Sequence, residues 1–130
     1  VAPRKILLID DSALILEATR AALENAGYQV ATAMTLEAFE EQRRREPPDL
    51  IILDIQMPEI FGDDLASTLR GAYGEPAPIV LLSSLEEQEL ERRAEESGAH
   101  AWVTKRAGMP ALLAKVKAIV GATEKTHPAG

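Results

Sequence analysis

Several short segments of this 130-residue chain end on side chains that can do chemistry. Ile6 to Ile9 runs into Asp10 and Asp11, and Leu50 to Leu53 runs into Asp54. Ile79 to Leu82 is followed by Ser83 and Ser84, and Ala99 to Thr104 by Lys105. A lone aspartate at a strand end usually serves a turn or a helix cap. Three that converge would repel one another, and some would stay protonated near neutral pH unless compensated. A divalent cation removes that problem. An all-oxygen ligand set with room for water suits Mg²⁺, which takes one or two carboxylates together with phosphate oxygens. The Lys105 ammonium and the Ser83 hydroxyl would complete a site that receives a small, highly charged anion beside a carboxylate. That chemistry is phosphoryl transfer to an aspartate, which needs mainly positioning and charge neutralisation.

Convergence depends on the elements that carry these residues. Lys5 to Ile9, Tyr28 to Ala33, Leu50 to Asp54, Pro78 to Ser83 and Ala99 to Thr104 read as strands. Helix-period segments lie between them and after the last. Ser12 and Thr35 are placed to cap the first two helices, which reach about Asn25 and Arg45. Gly27 follows the first, and Pro47-Pro48 ends the second. A third helix spans about Gly62 to Ala72, and a polar fourth runs from Glu86 to Ser97 and stops at Gly98. The last carries the stripe Leu112, Leu113, Val116, Ile119 and Val120, with Pro110 in its first turn. Strict alternation of near-continuous apolar strands with amphipathic helices predicts an α/β fold with a parallel sheet buried on both faces. Right-handed crossovers leave the flavodoxin-like, doubly wound order 2-1-3-4-5 as the natural arrangement of five strands and five helices. Ligands in such sheets bind beyond the carboxyl ends of the strands. The first and third strands are then neighbours, which brings Asp10, Asp11 and Asp54 together.

Composition narrows the function classes. The chain weighs 14.1 kDa, the size of one domain, and is long enough to bury a core without disulfides or a structural metal. Its formal charge of −7 opposes contact with nucleic acid phosphates and anionic membranes. The absence of cysteine excludes disulfide frameworks, thiol nucleophiles and cysteine-ligated metals. His100 and His127 are too far apart in sequence to form a metal-ligand motif. No apolar run approaches a membrane span, no signal peptide is evident, and the expected location is the cytoplasm. Residues 1–121 read as the domain, and 122–130 as a tail or the start of a linker.

The segments Leu7-Leu8-Ile9-Asp10-Asp11-Ser12, Leu50-Ile51-Ile52-Leu53-Asp54-Ile55-Gln56-Met57-Pro58, Ile79-Val80-Leu81-Leu82-Ser83-Ser84 and Trp102-Val103-Thr104-Lys105 closely resemble the receiver domain of bacterial two-component response regulators, the CheY-like family. The resemblance covers about Lys5 to Val120, and the order and spacing of the pieces make it specific. It implies that Asp54 is the phosphoacceptor and attacks a phosphohistidine on a sensor histidine kinase or phosphotransfer protein. It implies that Asp10, Asp11, Asp54 and the Gln56 backbone carbonyl hold Mg²⁺. Ser83 would bind a phosphoryl oxygen and move on activation, with Trp102 at the position of the switch aromatic. Lys105 would pair with the phosphoryl group, or with Asp54 when that is unmodified. Gln56 and Leu85 fall where side chains influence attack by water on the acyl phosphate. Leu85 brings no polar group to that task, so slow self-dephosphorylation is expected. The face formed by the fourth helix, fifth strand and fifth helix would bind a downstream protein, and phosphorylation could promote a homodimer.

Three departures stand out. The family usually has proline after the lysine, joined by a cis bond, and here the residue is Arg106. A non-proline cis bond costs about 3 kcal/mol, so the expectation is either a trans turn that re-aims Lys105 or a strained loop. Phe61 replaces a common Asp or Asn before Gly62, and Trp102 is larger than the usual Tyr or Phe. The fourth helix carries six glutamates and two arginines around Leu90 and Ala94. It reads equally as a solvated surface helix or as a loosely anchored element able to shift. Arg43-Arg44-Arg45 reads as a basic helix end that suits the macrodipole. The leading expectation is a phosphorylation-switched signalling domain that transforms no free metabolite. The alternative is a pseudo-receiver, a protein-interaction module without phosphate control. A metal-dependent phosphatase of related topology ranks below both, because its acid/base aspartate would have to stand at Gln56.

Overall fold

The computed structural model describes residues 3–57 and 60–121. The elements are β1 (Lys5–Ile9), α1 (Ala13–Asn25), β2 (Gln29–Ala33), α2 (Leu36–Arg45), β3 (Leu50–Asp54), α3 (Gly62–Gly71), β4 (Ile79–Ser83), α4 (Glu87–Ser97), β5 (Ala101–Thr104) and α5 (Gly108–Val120), with a 3-10 turn at Lys105–Ala107. The five strands form one parallel sheet in the order β2-β1-β3-β4-β5. This is the expected doubly wound, flavodoxin-like α/β fold. The proposed tail, residues 122–130, lies outside the described residues, as does His127.

Alternation along the strands splits the core in two. Leu7, Ile9, Ile51, Leu53, Ile79 and Leu81 pack with Phe39 of α2, Leu65 and Leu69 of α3, and Leu90 and Ala94 of α4. Ile6, Leu8, Leu50, Ile52, Val80 and Leu82 pack with Leu16 and Leu23 of α1 and with Leu112, Val116 and Val120 of α5. Successive side chains in a strand point to opposite faces, so apolar residues at every position require cover on both sides. β3 and β4 are buried along their whole length because they lie inside the sheet.

The helix starts follow the capping chemistry. The Ser12 hydroxyl accepts from the Ile15 N–H, and the Thr35 hydroxyl from the Ala38 N–H. α3 has no side-chain cap, since Phe61 occupies that position; Asp63 and Asp64 in its first turn complement the helix dipole instead. β5 starts at Ala101, two residues later than the sequence suggests. The cause is His100, whose backbone N–H donates to the Ile79 carbonyl and whose Nδ1 accepts from the Ile79 N–H. These bonds fasten the start of β4 to the approach to β5. The other ring nitrogen, Nε2, lies 3.2 Å from the Arg70 guanidinium. Burial and the Arg70 charge both push the His100 pKa below the ordinary imidazole value.

Arg43 is more than a helix-end cation. It ion-pairs with buried Glu75 and with Glu40, and it lies over the Tyr73 ring at 5.4 Å. Glu75 also accepts from the Ala77 N–H, so the pair fixes the α3–β4 loop against α2. The fourth helix shows the charged surface face expected for it. Its outer face is charged, while Leu90 and Ala94 are buried. Arg93 adds an anchor to the N-terminal end of α3, 3.7 Å from Asp63 Oδ1 and 5.7 Å from the centre of the half-exposed Phe61 ring.

Candidate functional site

The ends of β1 and β3 lie side by side, with Ile9 in register with Leu53. Asp10 follows the first strand and Asp54 closes the third, so both carboxylates emerge at the carboxyl edge of the sheet. Both are almost fully buried, at 1% and 3% exposure. Asp11 stands exposed beside them, and ligand oxygens of Asp10, Asp11 and Asp54 all lie within 4.8 Å of one another. The convergence expected from strand order is present.

Local hydrogen bonds orient the two buried carboxylates. Asp10 Oδ1 accepts from the Ser12 N–H at 3.0 Å, and Asp54 Oδ1 from the Gln56 N–H at 3.3 Å. The Lys105 Nζ lies 3.1 Å from Asp10 Oδ2 and 3.6 Å from Asp54 Oδ1. One ammonium therefore bridges two carboxylates. Among the described residues, Asp10 Oδ2 has no hydrogen-bond partner besides this ionic contact. Among the described residues, one cation beside three acidic groups leaves negative charge in excess. Burial, followed by the charge on Asp10, pushes the Asp54 pKa up to about 6, against the pull of Lys105 and of the Gln56 N–H.

The peptide bond after Lys105 is trans, as are all peptide bonds among the described residues. Arg106 has an N–H and a free φ, so the chain enters a 3-10 turn and leaves it through Gly108 at φ +87°. Lys105 still reaches both carboxylates. Arg106 points away and lies 3.4 Å from Glu86 just before α4.

Ser83 ends β4, opposite Thr104 and one step beyond Leu82, the register partner of Asp54. It is fully buried, and its hydroxyl accepts from the Leu85 N–H at 3.1 Å. Trp102 is half-buried against the α3–α4 side of the core. The Gln56 side chain is exposed and held by the Ser84 hydroxyl, which donates to Gln56 Oε1 at 2.8 Å. That contact was not legible in the sequence, because it joins two loops that only the fold brings together.

Gly62 was also missed as a site residue. Its N–H donates to the Ile55 carbonyl, closing the loop after Asp54. A Cβ there would stand 2.3 Å from the Asp54 carbonyl oxygen, closer than atoms can approach. Glycine at this position lets the loop fold onto the backbone of Asp54.

The three-carboxylate cluster suits a hard divalent cation: its donors are all oxygen, and buried Asp10 Oδ2 retains acceptor capacity. Fold and site together define the CheY-like class of flavodoxin-like domains. Residues 6–117 match the family model described as the response regulator receiver domain, and the chain belongs to that family. It is 38% identical over 115 residues to the transcriptional regulatory protein KdpE of Mycobacterium tuberculosis, covering 88% of this chain and 50% of that protein. It is 33% identical over 125 residues to the alkaline phosphatase synthesis transcriptional regulatory protein PhoP of Bacillus subtilis, covering 96% of this chain and 52% of that one. The chain thus spans about half the length of these two relatives. The structure of the Vibrio cholerae chemotaxis protein CheY4 superposes with a TM-score of 0.82 at 27% identity, covering 91% of this chain and 99% of that one. No helix among the described residues is long and apolar enough to cross a membrane.

Proposed function

We propose that this receiver domain is a phosphorylation switch that accepts a phosphoryl group on Asp54 from a phosphohistidine of a sensor histidine kinase or phosphotransfer protein. The observation that carries this reading is the Lys105 ammonium set between two buried carboxylates, beside the buried hydroxyl of Ser83. An Asp54 with a pKa of about 6 is mostly ionised at neutral pH and can act as the nucleophile. Its oxygen attacks phosphorus, the P–N bond to imidazole breaks, and the electron pair stays on the ring nitrogen. Asp10, Asp11, Asp54 and the Gln56 carbonyl are the groups that would hold Mg²⁺. When bound, the ion would neutralise the charge gathered at the transferring phosphoryl oxygens. Lys105 exchanges its contact with Asp54 for one with the phosphoryl group. Ser83 gives up the Leu85 N–H and donates its hydroxyl to a phosphoryl oxygen, and Trp102 follows.

The readout we propose is a cytoplasmic downstream protein bound at the face formed by α4, β5 and α5, or a second phosphorylated copy of this chain. The domain would transform no free metabolite and would touch neither nucleic acid nor membrane. The test is intact mass after incubation with Mg²⁺ and acetyl phosphate, comparing wild type with Asp54→Asn. One added phosphoryl group in wild type alone is the expected result. No adduct in wild type, together with no Mg²⁺ binding, would overturn it in favour of a pseudo-receiver.

A further inference from the structure

His100 stands just before β5 and ties it to the start of β4. Its backbone N–H donates to the Ile79 carbonyl at 2.8 Å, and its Nδ1 accepts from the Ile79 N–H at 3.0 Å. One residue thus holds both backbone polar groups of Ile79. β5 has little else at this end. It is four residues long and stands at the edge of the sheet, with β4 as its neighbour. It carries Trp102, and its last residue, Thr104, leads into Lys105.

Two donor groups stand against the His100 ring. The Ile79 N–H faces Nδ1, and the Arg70 guanidinium of α3 lies 3.2 Å from Nε2. A neutral imidazole offers one lone pair to such donors, and an imidazolium offers none. Protonation therefore sets N–H against N–H at Ile79 and brings a second cation up to Arg70. Among the described residues Arg70 is the charged group that acts on the ring, and no carboxylate stands against it to favour the protonated form.

We infer that His100 is an acid-released latch: its neutral ring ties the start of β5 to β4, and protonation frees that end of the strand that carries Trp102 and leads into Lys105. The residue is exposed, so the protonated ring can turn into solvent. Its lowered pKa agrees in direction, since the folded domain takes up this proton less readily than the unfolded chain. The stability that the latch contributes is present above the ordinary imidazole value of 6.5, and is lost as pH falls through the lower folded value. Asp54 acts with the opposite sign, because its protonation relieves repulsion at the other edge of the sheet.

The experiment is amide hydrogen exchange by NMR on the unmodified, metal-free chain, so its outcome is independent of phosphoryl transfer. Protection of the Ile79 amide is compared with that of buried Ile52 in the central strand β3, between about pH 7.5 and about pH 5, while carbon shifts follow the His100 ring. In wild type, Ile79 should lose protection by about threefold to tenfold relative to Ile52 as the ring titrates, the worth of one hydrogen bond. Emission from Trp102, the one tryptophan of the chain, should change with the same midpoint. His100→Asn supplies an acceptor that does not titrate, and both changes should vanish. His100→Phe removes the acceptor, and Ile79 should be poorly protected throughout. Constant Ile79 protection across the ring's titration, a ring that titrates at or above the ordinary imidazole value, constant Trp102 emission, or a loss that persists in His100→Asn would each overturn the inference.

Discussion

Replacing Asp54 by asparagine should make the metal-free protein more stable at neutral pH, although it removes the residue on which the proposed function depends. Asp54 is 3% exposed, lies beside Asp10 and shares a single lysine with it. Raising its pKa from 3.8 to about 6 means that folding disfavours the ionised form by about 3 kcal/mol. The folded state holds the proton more tightly than the unfolded chain. This group therefore costs nothing below the unfolded pKa, and its penalty grows as pH rises through the folded pKa. The linkage relation gives a penalty of about 3 kcal/mol near pH 8 and about 1 kcal/mol near pH 4.5. Asparagine carries no charge, and its carbonyl oxygen can still accept from the Gln56 N–H. Lys105 keeps its contact with Asp10. Urea unfolding of both proteins in EDTA should show the variant more stable by about 1–3 kcal/mol near pH 8, with the gap narrowing as pH falls. Mg²⁺ at about a hundred times its Kd should raise wild type by about 2.7 kcal/mol and help the variant less. A variant that is equally or less stable near pH 8, or a gap that does not change with pH, would refute the electrostatic account of this site.

Other consequences follow from the same geometry. Lys105→Ala removes the cation that faces Asp54 among the described residues, so the carboxyl should titrate above its present value of about 6, as read by carbon NMR of labelled aspartates. Gly62→Ala forces a methyl group against the Asp54 carbonyl; a loss of about 1–3 kcal/mol in denaturant unfolding, with weakened Mg²⁺ binding, is expected. Arg43→Ala strands buried Glu75 without its partner and should cost about 3 kcal/mol, checked by the urea midpoint. Phe39→Ala empties a fully buried position under α2 and should cost about 3–5 kcal/mol by the same assay. The phosphorylated wild type should persist for minutes or longer in the decay assay; a half-life of seconds would contradict the reading of Gln56 and Leu85.

The site places stability and function in opposition at a few residues. Clustered carboxylates at a buried sheet edge destabilise the free domain, and each neutralising group acts on the same charge. Lys105 offsets part of it in the free state, and a cation or an incoming phosphoryl group with its metal changes the balance. Under the proposed function, the groups that relieve the repulsion differ between states, and Ser83 and Lys105 would move to serve each one. α4 is held to the domain by buried Leu90 and Ala94 and by the ion pair of Arg93 with Asp63.

Much of this was legible from residue order alone. Period-two and period-3.6 patterns, with Ser12 and Thr35 as caps, determined the alternation of strands and helices, because local backbone geometry depends on neighbours in sequence. Continuous apolar runs required a sheet covered on both faces, and that requirement fixed which edge carries Asp10, Asp54, Ser83 and Lys105. The sequence could not decide how Lys105 would be aimed past Arg106; the trans 3-10 turn and Gly108 settled that. It could not show that Gly62 must lie against Asp54, that His100 delays β5, or that Arg43 neutralises buried Glu75. Nor could it place the Ser84 hydroxyl on Gln56. The last three join segments 21 to 32 residues apart, and the strength of all of them depends on distance and burial. Those quantities exist only once the sheet has formed and its loops have closed over one edge.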